Sequence, residues 1–262
     1  ALATIAGDVT GNIVLTVGAT GTENSGADAA SAAGVGGTAS VTFDGATAQT
    51  VIGNITAGAD DTGTINVTND LTITGNVGLV GATADIADLK ISDGKSLTIT
   101  GTVDVVDLTL GSSTGTGTQA VTFKGATVVI NDLILFHDAA NATRSITFDA
   151  SNNDISATVA ISTSTTDTGD TNNISFIGGT TNTTTYNSAI VTADEIDSIL
   201  VGSSTQAGKA ELRMATAVTA YTLNDTAGSS TLSFNATEGA KAIAGTINGT
   251  AAGKGTLSVY DD

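Results

Sequence analysis

Apolar and polar positions alternate along this chain in short runs, and one three-residue unit keeps returning: apolar, hydroxyl or amide, apolar. It reads Val41-Thr42-Phe43, Ile65-Asn66-Val67, Leu97-Thr98-Ile99, Val121-Thr122-Phe123, Ile146-Thr147-Phe148, Ile174-Ser175-Phe176, Leu232-Ser233-Phe234 and Leu257-Ser258-Val259. Such alternation turns one face of a strand inward and the other toward water. Gly, Asn, Asp and Ser fill the gaps between the runs, as turns require. The units recur at intervals of 24, 32, 24, 25, 28, 58 and 25 residues, with 58 read as two steps of 29. A degenerate period near 25 in strand-type sequence predicts stacked coils. The expected fold is all-β, a single elongated parallel β-solenoid over residues 1–262.

Two further recurrences fit the sides of one coil. The first is Gly-polar-apolar, as in Gly11-Asn12-Ile13, Gly53-Asn54-Ile55, Gly75-Asn76-Val77 and Gly101-Thr102-Val103. The second is apolar-x-Asp-Leu-x-apolar, with Asp88, Asp107 and Asp132 at its centre, read as turn aspartates that bond their own backbone, the alternative being a ladder stacked on one edge that needs cations or protonation. Roughly ten coils at the ~4.8 Å strand spacing give a rod of about 50 Å. The Ser/Thr/Asn/Asp-rich stretch 162–185 reads as an inserted loop, and 202–223 as an irregular region. The uneven intervals leave a second fold open, a β-sandwich subunit that exchanges its N-terminal strand, with Leu2 to Val17 as the donor.

Composition narrows the picture. Aromatics make up 3% of the chain and proline is absent, which suits a thin core and a backbone whose N–H groups are nearly all wanted in ladders. The net charge of −18, with eight Lys and Arg dispersed along the chain, excludes a phosphate-binding surface for nucleic acid. No apolar run approaches the ~18–20 residues of a membrane helix. Cysteine is absent, so disulfides and thiol chemistry are excluded. The chain begins at Ala1 and its one methionine is Met214, so the sequence is expected to be a secreted protein freed of its signal peptide, or a fragment.

The phrases Thr50-Val51-Ile52-Gly53-Asn54-Ile55, Leu71-Thr72-Ile73-Thr74-Gly75-Asn76-Val77-Gly78 and Ser96-Leu97-Thr98-Ile99-Thr100-Gly101-Thr102-Val103 resemble Thr/Gly/Asn-rich bacterial cell-surface β-proteins. These are S-layer proteins and the passenger regions of autotransporter-like proteins. The likeness is carried by residues 40–135 and by composition elsewhere. It implies an extracellular structural protein at the cell surface that self-assembles into a layer, sheath or filament, with itself as partner. The competing reading is an adhesin or fibre segment that binds cell-surface glycans through loops such as 162–185.

Catalytic chemistry finds few residues to work with. A nucleophilic triad would need His137, the single histidine, and no Gly-x-Ser-x-Gly elbow accompanies it. A polysaccharide-cleaving solenoid would need paired carboxylates and aromatic platforms, yet there are four glutamates, three tyrosines and no tryptophan. The chain is therefore expected not to be an enzyme. Calcium is the one cofactor the composition invites, because hard cations take oxygens from Asp, Asn and turn carbonyls. The candidate ligands are Asp60, Asp61, Asp149, Asp154, Asp167 and Asp170.

Overall fold

The computed structural model describes residues 2–17, 30–34, 39–59, 61–81, 85–112, 115–135, 142–161, 170–190, 196–214, 216–235, 243–251 and 254–260. Its strands follow in chain order as β1 (Leu2–Ile5), β2 (Val9–Thr10), β3 (Ile13–Val17), β4 (Ala30–Gly34), β5 (Ser40–Phe43), β6 (Gln49–Ile52), β7 (Ile55–Ala57) and β8 (Thr62–Val67). Next come β9 (Leu71–Ile73), β10 (Ile86–Ile91), β11 (Ser96–Ile99), β12 (Val103–Leu110), β13 (Thr118–Phe123), β14 (Thr127–Leu135), β15 (Thr143–Asp149) and β16 (Ile155–Ile161). The last are β17 (Thr171–Ile177), β18 (Thr184–Tyr186), β19 (Ser198–Val201), β20 (Lys209–Leu212), β21 (Thr216–Leu223), β22 (Thr231–Asn235), β23 (Ile243–Gly249) and β24 (Thr256–Tyr260).

Every strand pair among the described residues is parallel, each strand lying beside its equivalent in the next coil. One sheet runs β1-β5-β8-β10-β12-β14-β16-β18-β20-β22-β24, and a second runs β2-β6-β9-β11-β13-β15-β17-β19-β21-β23. The fold is the expected parallel β-solenoid, with coils of about 25 residues. A third sheet, β4-β3-β7, adds a side to the N-terminal coils. That side joins the first sheet at Val103, the start of β12, which bridges in parallel to Val77.

Register explains the two intervals that break the period. The triplets at 41 and 65 lie on the first sheet, those from 97 to 174 on the second, and those at 232 and 257 on the first again. The step of 32 is thus one coil plus a change of side, and the step of 58 is two coils plus a change of side. Within the second sheet the steps are regular: Leu71, Leu97, Val121, Ile146, Ile174, Ile199, Tyr221 and Ile247 fall in one register.

The alternation does what its period demands. In β13, β15 and β17 every second residue is buried, so Val121 and Phe123, Ile146 and Phe148, and Ile174 and Phe176 point into a core between the two sheets. Phe123, Phe148 and Phe176 form a stack with centroids 5.7 and 5.5 Å apart, and Tyr186 of the first sheet meets Phe148 and Phe176 edge-on. Burying each such ring stabilises the stack by roughly 1.5–3 kcal/mol. Tyr186 keeps its hydroxyl satisfied by donating to the Val159 carbonyl at 3.1 Å.

The Gly-Asn-Ile recurrence is a corner. Asn12, Asn54 and Asn76 each accept, through the side-chain oxygen, the backbone N–H one coil onward, from Asn54, Asn76 and Thr102, all at 2.9 Å. The glycines preceding them pack backbone on backbone. A Cβ on Gly53 would lie 2.2 Å from the Gly11 carbonyl oxygen, and one on Gly75 would lie 2.2 Å from that of Gly53. The corner sequence is therefore fixed by stacking, coil after coil.

Two sequence boundaries shift. Of the expected loop 162–185, residues 162–169 lie outside the described residues, while Thr171–Ile177 is β17, because Ile174 and Phe176 continue the core columns. The region 202–223 carries β20, in register with its neighbours, and β21, which is in register with β19 but shifts register against β23 between Ala217 and Ala220.

Candidate assembly ends and acidic ladder

β23 and β24 are the outer strands of their sheets, so each leaves one ladder edge unpaired. Their inward positions continue the core columns: Ile247 lies beside Tyr221, Leu257 beside Leu232, and Val259 beside Phe234. Those three neighbours are 0%, 0% and 5% exposed, whereas Ile247, Leu257 and Val259 are 40%, 48% and 70% exposed. A shallow cleft of about 250 Å³ opens there, lined by Leu223, Ile247, Ala251, Lys254, Gly255 and Leu257. The N-terminal end differs. Ala3, Ile5 and Val9 are only partly buried but pack against the core, and β4 pairs along the outer edge of β3.

The second arrangement is the alternative that the sequence leaves open for three aspartates, a stacked ladder. Asp88, Asp107 and Asp132 are strand residues rather than turn residues, and they lie side by side in register on β10, β12 and β14. All three are half-buried on the outer side of the sheet. The Thr64 hydroxyl donates to Asp88 at 3.0 Å, and Lys90 lies 3.2 Å from the same carboxylate. Burial pushes the Asp107 carboxyl above its ordinary 3.8, the charges of Asp132 and Asp88 add to that rise, and Lys90 opposes it.

Three described members of the expected calcium set, Asp149, Asp154 and Asp170, each take a separate partner. Asp149 receives Ser151 N–H at 3.1 Å, the Ser151 hydroxyl, and the Lys124 ammonium at 2.9 Å. Burial alone would raise its carboxyl, but the bonds from Ser151 and Lys124 prevail and hold it below 3.8. Asp154 accepts the Thr183 N–H at 2.7 Å. Asp170 is buried against Arg144 at 2.5 Å, and Arg144 also donates from Nε to the Leu110 carbonyl at 3.2 Å. Asp61 is exposed and holds a positive φ of 50°. Asp60 and Asp167, like His137, lie outside the described residues. Among the described residues no three carboxylate or histidine side chains converge as ligands of a metal ion.

Compared with protein-family models, curated proteins and solved structures, the chain matches none. Its chemistry is therefore read from its own geometry. Among the described residues no helix is long and apolar enough to cross a membrane.

Sequence reasoning missed the buried polar row of the second sheet. Gln119, Arg144 and Asn172 occupy one register position, and all are essentially fully buried. The available signal was their placement two residues before Val121, Ile146 and Ile174, on the inward parity of the alternation. The open C-terminal coil carries no such signal, because Leu257-Ser258-Val259 is written in the same pattern as the sealed copies.

Proposed function

We propose that this is an extracellular structural protein whose solenoid units associate with one another into a surface layer, sheath or filament. The observation that carries the reading is the regularity of the ladder: two parallel sheets of eleven and ten strands are written in one short repeated pattern, and the second holds a single register from Leu71 to Ile247. Such a repeat suits a structural unit better than a pocket assembled from scattered residues. The extracellular setting rests on the resemblance to cell-surface β-proteins, which the acidic composition suits. Calcium enters the proposal as a counter-ion: a charge of −18 per unit resists close association, and a divalent cation relieves that repulsion.

The test is electron microscopy of the purified protein in millimolar calcium and again in chelator. Ordered filaments or sheets are expected, and their loss in chelator would make calcium part of the joint. Monodisperse short rods in both conditions overturn the assembly reading and favour a glycan-binding fibre segment.

A further inference from the structure

We propose that the outer face of the second sheet is a contact surface for the same face of a second copy, two hydroxyl-lined sheets packing flat against each other. This contact rests on the assembly reading above and adds to it the surface that meets, one built from the middle coils.

Thr72, Thr98, Thr122, Thr147 and Ser175 are in-register partners on β9, β11, β13, β15 and β17. Each sits between two buried core residues, so the column stands on the outer side of the sheet. It presents one hydroxyl per coil at the ~4.8 Å strand spacing. Leu200 and Thr222 carry the column on to β19 and β21. Ser96, Ala120, Ser145 and Asn173 form a second outward column beside it. From β9 to β21 the face runs for roughly 30 Å, and covering it at two to three columns' width buries on the order of 1,000 Å² over both copies, the lower bound of a specific interface.

Charge singles out this face. The chain carries −18, and the outer side of the first sheet holds the Asp88, Asp107 and Asp132 ladder. From Ser96 to Asn248 neither outward column of the second sheet carries a charged residue. Lys124 and Asp149, at the margin of the face, neutralise each other at 2.9 Å. Two copies therefore meet across the second sheet with less repulsion than across the first. Hydroxyls also suit a self-contact. Each one both donates and accepts, so a threonine column can bond to a copy of itself, whereas a carboxylate column cannot. Among the described residues the hydroxyls of Thr72, Thr98, Thr122 and Thr147 bond no other group of the chain, which leaves them for a partner. The copy repeats at the same spacing, so one match along the column is repeated coil after coil. No aromatic ring stands in either column, so a sugar finds no platform there.

A charge swap tests the contact. Thr98→Glu/Thr147→Glu and Thr98→Lys/Thr147→Lys proteins are prepared separately and followed by sedimentation velocity, alone and as an equal mixture, in the buffer in which the unaltered protein assembles. Melting curves check that each is folded; where a double variant does not fold, Thr147→Glu and Thr147→Lys alone replace the pair. Each variant by itself is expected to sediment as a smaller species than the unaltered protein at the same concentration. The mixture is expected to recover the larger species, because like faces then meet with opposite charge. Undiminished assembly by both variants, or a mixture no larger than its components, overturns the face contact while leaving assembly in place. An unaltered protein that stays monomeric overturns both.

Discussion

Phe148 and Val259 are both third residues of the same repeated triplet, yet one is wholly buried and the other 70% exposed. Phe148 has Phe123 on one side, Phe176 on the other and Tyr186 across the core. Val259 has Phe234 beside it on β22 and, among the described residues, no strand on the outer side of β24. The side chain's own chemistry differs little between the two cases. In a solenoid, burial is conferred by the next coil, so a repeat at the middle is core and the same repeat at an end is surface.

The largest effect should separate these two positions most sharply. Phe148→Ala empties the centre of the aromatic stack and is expected to lower stability by about 3–5 kcal/mol, read by chemical denaturation. Arg144→Ala should rank with it at about 3–5 kcal/mol, because it leaves the Asp170 carboxylate buried without its cation; a small loss would mean that the middle coils tolerate buried charge as the end coil does. Asn76→Ala removes the acceptor of the Thr102 N–H at the stacked corner, for about 1 kcal/mol in the same assay.

Acid titration sharpens the comparison within the middle coils. Asp107 is held above 3.8, so the stability it contributes is fully present below that value and is lost as pH rises through its raised folded value. Asp149 is held below 3.8, so its contribution is present above that value and is lost as pH falls through its lowered one. Melting curves across the acid range should show Asp107→Asn losing the gain on acidification and Asp149→Asn losing the drop. Identical profiles for the two variants would remove the distinction between a ladder carboxylate and a paired one. The smallest effect belongs to the open end: Val259→Ala should change unfolding of the isolated unit by no more than about 0.5 kcal/mol.

The strands and their coil length were legible because alternation and glycine corners are local. The Asn12–Asn54–Asn76 corner was visible as a motif, and its reason, one side chain bonding the next coil's backbone, appeared only with the stacking. The triplets at 65 and 97 look like consecutive copies but lie on different sheets, a fact no local pattern encodes. Asp88, Asp107 and Asp132 read as turn residues because aspartate side chains bond their own backbone in turns. Nothing local marks Arg144 as buried, because a lone charged side chain is usually at the surface. Its partner Asp170 lies 26 residues away, one coil on.

Sedimentation velocity of the unaltered protein over a range of concentrations, in millimolar calcium and in chelator, tests the central claim most directly. The protein is predicted to grow in size with concentration. A monomer at every concentration in both conditions would contradict the account.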